Sequence, residues 1–213
     1  MADTGASYGS LARYTNIERI RELNERTMIA YSGELSDLQT IHRLLCDNEL
    51  QTSFSDGITH NPEEIHSYLR SVMHNARNKV NPFLNQIVVG GVSDTNDLFL
   101  GYVDMYGTAY SDPYICTGFG SYMALPLLRK AYHENLSLEQ AKEILQNAMR
   151  VLLYRHCRAI NKFQFGVISR SGERSISEPF TISTNWNFRQ FVDPTFQYTG
   201  VAANEQANCT GTM

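Results

Sequence analysis

His42 and Cys46 stand four residues apart, the spacing that puts two side chains on one face of a helix. Imidazole and thiolate both bind borderline-soft metals, so the pair could share an ion. Two ligands alone do not make a site, and the pair reads as two polar-face residues. His60, His66 and His74 do not reproduce the His-Glu-x-x-His spacing of a zinc hydrolase. His156 and Cys157 are adjacent, so they leave a helix end in different directions and do not form a nucleophile–base pair. No Cys-x-x-Cys pair supports a structural zinc. Gly90-Gly91 and Gly118-Phe119-Gly120 lack the rest of a phosphate-binding loop. The expectation is no metal and no cofactor.

The elements around these residues follow from periodicity. Ile17–Leu23 and Thr27–Ser32 read as a hairpin across Asn24-Glu25-Arg26, and Gly33 ends it. From Glu34, apolar residues recur at three and four: Leu35, Leu38, Ile41, Leu44 and Leu45 make a helical stripe. Residues 52–61 read as a polar loop. Asn61-Pro62-Glu63-Glu64 is a helix start, with Ile65, Tyr68, Leu69, Val72 and Met73 as its stripe. Pro82 ends helix in that region. Gln86–Val92 and Leu98–Met105 are strands around a turn at 93–97, and a further strand is expected within Tyr106–Tyr110. A third helix is expected over 121–132. A fourth begins at the Ser137/Gln140 capping box. Phe163, Phe165 and Val167 alternate as one half-buried strand, and a last strand lies around Arg174–Ser177. This order implies sheets stacked together with helices outside.

The chain has 213 residues, of which 42% are hydrophobic and 19% charged, which places it among folded domains with room for a core. A net charge of −4 without a long Lys/Arg run argues against nucleic acid. No apolar run is long enough to span a bilayer, and no signal segment opens the chain. The cysteines Cys46, Cys116, Cys157 and Cys209 are widely spaced and are expected as free thiols in a reducing compartment.

Five segments in order carry a family likeness: Ser7-Tyr8-Gly9-Ser10-Leu11-Ala12-Arg13; Arg77–Pro82 with Val89-Gly90-Gly91; Leu100–Gly107; Ala124–Arg129; and Ala148–Arg155. Together they resemble the beta-type subunits of the eukaryotic proteasome core particle, nearest to their seventh, non-catalytic class. The likeness runs from residue 2 to about residue 190. It implies an α+β fold, the four-layer αββα sandwich of N-terminal-nucleophile hydrolases. Residues 1–190 would be a single beta-type domain, and 191–213 a C-terminal extension. Ala2-Asp3 would close the second strand of that fold, so the first strand and most of its partner are expected to be missing, or to lie upstream of Met1.

Active members of this family use an N-terminal threonine whose α-amine acts as base, a nearby lysine, orienting aspartates and serines, and a glycine N–H as oxyanion donor. Carried over by resemblance, Asp3 falls on the first aspartate. Arg19 replaces the lysine, and a guanidinium stays protonated at any relevant pH. Gly33 falls on the oxyanion glycine, Phe119 on a serine, His156 on the second aspartate and Ala159 on another serine. Thr4 is not terminal and has no free amine beside it. No working constellation is left.

The function expected from this reading is a non-catalytic structural subunit of the 20S particle. It would serve ubiquitin-dependent protein degradation in the cytoplasm and nucleus. Its partners would be two neighbouring beta subunits in a heptameric ring, the alpha ring, and the opposite beta ring. Residues 187–213 would reach the opposite ring, with Phe191, Phe196 and Tyr198 as anchors. Two alternatives stay open: a threonine-type peptidase subunit activated by removal of an upstream segment, and a free-standing amidohydrolase.

Overall fold

The computed structural model describes residues 1–188 and Asp193. Residues Met1–Ile182 form one compact unit, and the chain from Ser183 forms a second. In the first unit the chain opens with β1 (Ala2–Asp3), then β2 (Ala6–Tyr8) and β3 (Leu11–Tyr14). β4 (Ile20–Asn24) and β5 (Thr27–Gly33) form the expected hairpin. Two helices follow, α1 (Leu35–Asp56) and α2 (Pro62–Asn78). β6 (Asn85–Val92), β7 (Leu98–Val103) and β8 (Ala109–Ser111) complete an antiparallel five-stranded sheet in the order β4-β5-β6-β7-β8. α3 (Gly120–Met123), α4 (Leu125–Ala131) and α5 (Leu138–Arg155) come next. The unit closes with β9 (Phe163–Gln164), β10 (Gly166–Ile168) and β11 (Arg174–Ile176).

The main core lies between one face of the sheet and the first two helices. Ile29, Tyr31, Ile87, Val89 and Val103 point to that face, and Leu38, Ile41 and Leu45 of α1 meet them with Ile65, Leu69 and Met73 of α2. These six helical residues all belong to the stripes expected from the sequence, whereas Leu35 and Val72 are only partly buried. Leu44 and Tyr68 instead line a groove between the two helices. Each fully buried aliphatic side chain contributes roughly 1.5–3 kcal/mol over its exposed state.

The opposite face of the sheet is approached by β10. A Cβ on Gly166 would lie 2.8 Å from Ile20 Cγ2, with Met28 Sδ also in contact, so glycine lets the two backbones close up. β1 pairs with β9, β10 with β11 and β2 with β3, each as a two-stranded piece. α3, α4 and α5 pack on one another around Ala124, Leu128 and Ala148.

Several boundaries differ from expectation; the strand expected within Tyr106–Tyr110, for one, runs Ala109–Ser111. α1 continues through the stretch expected as loop and stops at Gly57, whose left-handed φ of 65° ends the helix. The single helix expected over 121–132 is two, joined at Ala124. Pro126 sits in the first turn of α4, where a proline starts a helix instead of continuing one. The strand expected over 163–167 splits at Phe165, whose N–H donates to Ser177 Oγ at 2.9 Å in place of a ladder bond.

The helix starts at Asn61 and Ser137 stand where the sequence placed them. Glu64 accepts from the Asn61 N–H at 2.9 Å, and Gln140 accepts from the Ser137 N–H at 2.9 Å. Asn161 closes the unit by exchanging two 2.8 Å hydrogen bonds with the backbone of Ile182. In the second unit, Trp186 Nε1 donates to Thr184 Oγ1 at 3.1 Å. The anchors expected at Phe191, Phe196 and Tyr198 lie outside the described residues.

Candidate functional site

Asp3 lies in β1, where antiparallel pairing sets it opposite Phe163. The next residue, Thr4, is buried. Its N–H donates to Lys162 O at 3.1 Å and its hydroxyl to Thr15 O at 3.0 Å, so it has the bonds of a structural core residue. Arg19 reaches back from just ahead of β4. Its Nε lies 3.5 Å from Asp3 Oδ1, an ion pair without hydrogen-bond geometry. Its Nη2 donates to the Gly5 carbonyl, and the Gly5 N–H donates to Asp3 Oδ2 at 3.2 Å. The cation is thus engaged on both sides, with only 16% of its side chain exposed.

Gly33 ends β5 with φ at 98°. A Cβ there would sit 2.1 Å from the Leu84 carbonyl oxygen, an approach no side chain tolerates. That carbonyl accepts from the Glu34 N–H at 3.0 Å. Asn85, buried at the start of β6, donates from Nδ2 to Ser32 O at 2.9 Å and Glu34 O at 2.8 Å. The strand-to-helix corner is therefore fixed from both sides. Sequence reasoning missed Asn85; the available signal was a polar side chain opening an otherwise apolar strand.

Phe119 precedes α3 and His156 follows α5. Their rings meet in a tilted contact, with centroids 4.4 Å apart and planes inclined by 35°. The His156 N–H donates to Leu152 O at 2.8 Å as the helix ends, and the Ala159 N–H donates to the His156 carbonyl at 3.0 Å. Gly118 connects this loop to the sheet by donating to Gln86 Oε1 at 2.7 Å. Gln86 pairs with Ser32, the neighbour of Gly33. Ser121, two residues past Phe119, turns its hydroxyl to the Cys116 carbonyl at 2.9 Å.

Two groups emerge. Asp3 and Arg19 form one, and Phe119, His156 and Ala159 form the other, while Gly33 neighbours the second through Gln86.

The family model described as proteasome subunit matches residues 1–168. The chain belongs to the proteasome family, as a beta-type subunit. It is 43% identical over 195 residues to the proteasome subunit beta type-4 of Arabidopsis thaliana, covering 91% of this chain and 78% of the relative. It is 41% identical to the beta type-4 subunit of Xenopus laevis, with 90% and 79% covered. Against the beta type-7 subunit of Saccharomyces cerevisiae it is 36% identical, with 90% and 76% covered.

The remaining histidines and cysteines of this beta-type subunit do not gather into a further site among the described residues. His42 Nδ1 is 3.0 Å from the Tyr31 hydroxyl, and His42 Nε2 is 3.7 Å from Cys46 Sγ. Among the described residues no three His, Cys, Asp or Glu side chains gather as metal ligands. His60 meets Glu49, His66 meets the Tyr102 carbonyl, and His74 meets Asn78. Cys46, Cys116 and Cys157 are free thiols, and Cys209 lies outside the described residues. Burial pushes the Cys116 thiol up to about 11, which keeps it protonated and unreactive. Among the described residues no helix is long and apolar enough to cross a membrane.

Proposed function

We propose that this beta-type subunit is a non-catalytic, structural member of the 20S proteasome core particle, seated at the seventh position of the beta ring. The observation that carries this reading is the pairing at the family's catalytic positions. Arg19, in place of a lysine, is held by Asp3 and Gly5. Phe119 and His156, in place of a serine and an aspartate, engage each other through a tilted ring contact. Gly33 has a sufficient structural reason in the Leu84 approach, without an oxyanion to stabilise. An arginine cannot exchange a proton near neutral pH, and a phenyl ring cannot orient a nucleophile by hydrogen bonding.

In this reading residues 1–190 are one beta-type domain of the four-layer αββα kind, and 191–213 an extension. Lateral faces bind neighbouring beta subunits in a seven-membered ring. One end meets the alpha ring, and residues 187–213 reach the opposite beta ring. The assembled complex degrades ubiquitin-marked proteins in the cytoplasm and nucleus, and this subunit supports it by assembly. Relatives named beta type-4 and beta type-7, matched over about nine-tenths of this chain, support the placement.

The test is covalent labelling. Assembled particle is treated with a threonine-directed irreversible inhibitor, and each subunit's intact mass is read. This subunit is expected to keep its unlabelled mass while catalytic subunits gain the adduct. An adduct on this subunit overturns the proposal.

A further inference from the structure

The seam between α1 and the sheet is closed by three polar side chains that the assembly role does not use. Tyr31 stands on β5, only 2% exposed. His42 and Cys46 stand one turn apart on α1. The Tyr31 hydroxyl is 3.0 Å from His42 Nδ1, and the two rings meet edge-on at 85° with centroids 5.8 Å apart. His42 Nε2 faces Cys46 Sγ at 3.7 Å.

The burial of the Tyr31 hydroxyl assigns the protons along these contacts. Among the described residues, His42 Nδ1 is the acceptor within reach of the Tyr31 phenol. A buried hydroxyl that fails to donate pays the full desolvation penalty of that group. Tyr31 therefore donates to Nδ1, which leaves the imidazole proton on Nε2. That N–H donates to the Cys46 sulfur. The seam is a one-way relay, Tyr31 to His42 to Cys46, and it requires a neutral imidazole.

We propose that this relay is an acid-sensitive latch holding α1 on the sheet, closed while His42 is neutral and released when His42 takes a second proton. A proton on Nδ1 faces the phenol hydrogen and takes away its acceptor. The charged groups around His42 act in the same direction. Arg21 on β4 opposes the added positive charge, Tyr31 on β5 stays a neutral phenol, and Cys46 on α1 stays a thiol. Burial first, then Asp47 and Glu49, raise the Cys46 thiol against the opposing Arg21, so no thiolate forms near neutral pH to stabilise an imidazolium. Burial and Arg21 together hold His42 below its usual range.

The sign follows. A histidine depressed in the folded state binds fewer protons there than when α1 is open. The latch is fully closed above the unfolded value near 6.5. It weakens as the pH falls from there towards the depressed folded value. Over that window the opening constant of α1 rises by up to about tenfold per pH unit.

Hydrogen exchange followed by mass spectrometry on the full chain, from pH 8 to pH 5 and corrected for intrinsic rates, tests this. Amides of residues 38–46 are expected to lose protection below pH 6.5. The first two turns of α5, which carry no histidine, serve as the internal reference. His42→Gln, which keeps a neutral polar group and does not titrate, is expected to flatten the α1 profile. An α1 profile parallel to that of α5, or an unchanged slope in His42→Gln, overturns the proposal. Should that variant not fold, exchange at the imidazole C2 position in the unmodified chain reports the titration of His42 directly. A midpoint well below 6.5 supports the latch, and a midpoint at or above it overturns it.

Discussion

Phe119 and His156 lie 37 positions apart in sequence, yet their rings meet at a centroid distance of 4.4 Å and tie the start of α3 to the end of α5. On the proposed reading both positions depart from the active members of the family, and the two replacements touch each other. A serine and an aspartate would contribute hydrogen bonds; a phenyl and an imidazole contribute contact area. Phe119 remains 57% exposed, so the contact covers only one side of its ring. A double-mutant cycle with Phe119→Ala and His156→Ala is expected to give a coupling of about 0.5–1.5 kcal/mol in chemical denaturation. Additive losses would show that the two rings are mere neighbours.

Gly33 allows no side chain. Its φ of 98° is in the region L-residues avoid, and the close approach of the Leu84 carbonyl leaves no room for a methyl group. Gly33→Ala is expected to lower stability by more than about 3 kcal/mol, because strain and a backbone clash act together. Thermal melting of the full chain checks it. A loss below about 1 kcal/mol would mean that the β5–α1 corner moves freely, contrary to the double clamp from Asn85.

How much of this was legible in the sequence depended on whether the signal was local. The Asn61-Pro62 and Ser137/Gln140 starts are written in four consecutive residues, and both helices begin there. The end of α1 was also local, in Gly57, but the polar run before it hid the continuing helix. The split at Phe165 was not legible, because Ser177, twelve residues on, supplies the hydroxyl that takes the Phe165 N–H. The site behaved the same way. Resemblance singled out Asp3, Arg19, Gly33, Phe119, His156 and Ala159 one by one as the expected positions. It gave no reason for His156, whose ring partner, Phe119, is distant in sequence.

Glu34 caps α1 with a charged side chain. Its carboxylate accepts from the Asp37 N–H at 2.9 Å and the Ser36 hydroxyl at 2.6 Å, and these bonds hold its pKa below the usual glutamate value. A depressed carboxylate stabilises the fold above its unfolded pKa near 4.5, and that contribution disappears as the pH falls through the folded value. The first turn of α1 is therefore expected to fray on acidification below about pH 4.5, by hydrogen exchange at Leu38 and its neighbours. Glu34→Gln is expected to remove that low-pH step while weakening the cap at neutral pH. A step of equal size in the variant would assign it to another carboxylate.

Arg19 and Asp3 share an ion pair but not its consequences. Arg19 is mostly buried and also serves the Gly5 carbonyl, whereas 42% of the Asp3 side chain is exposed. Replacing Arg19 by Met leaves a part-buried carbonyl without its donor and is expected to cost about 1–3 kcal/mol. Replacing Asp3 by Asn leaves a pair already screened by water and is expected to cost about 1 kcal/mol or less. On the proposed reading, Arg19→Lys restores the residue type that active members carry. An ammonium has no planar fork to hold Asp3 and Gly5 together, so part of the stability is expected to be lost. No labelling by a threonine-directed inhibitor should appear, because Phe119, His156 and Ala159 still supply neither hydroxyl nor carboxylate. Labelling of the lysine variant alone would show that Arg19 is the single barrier to chemistry at this site.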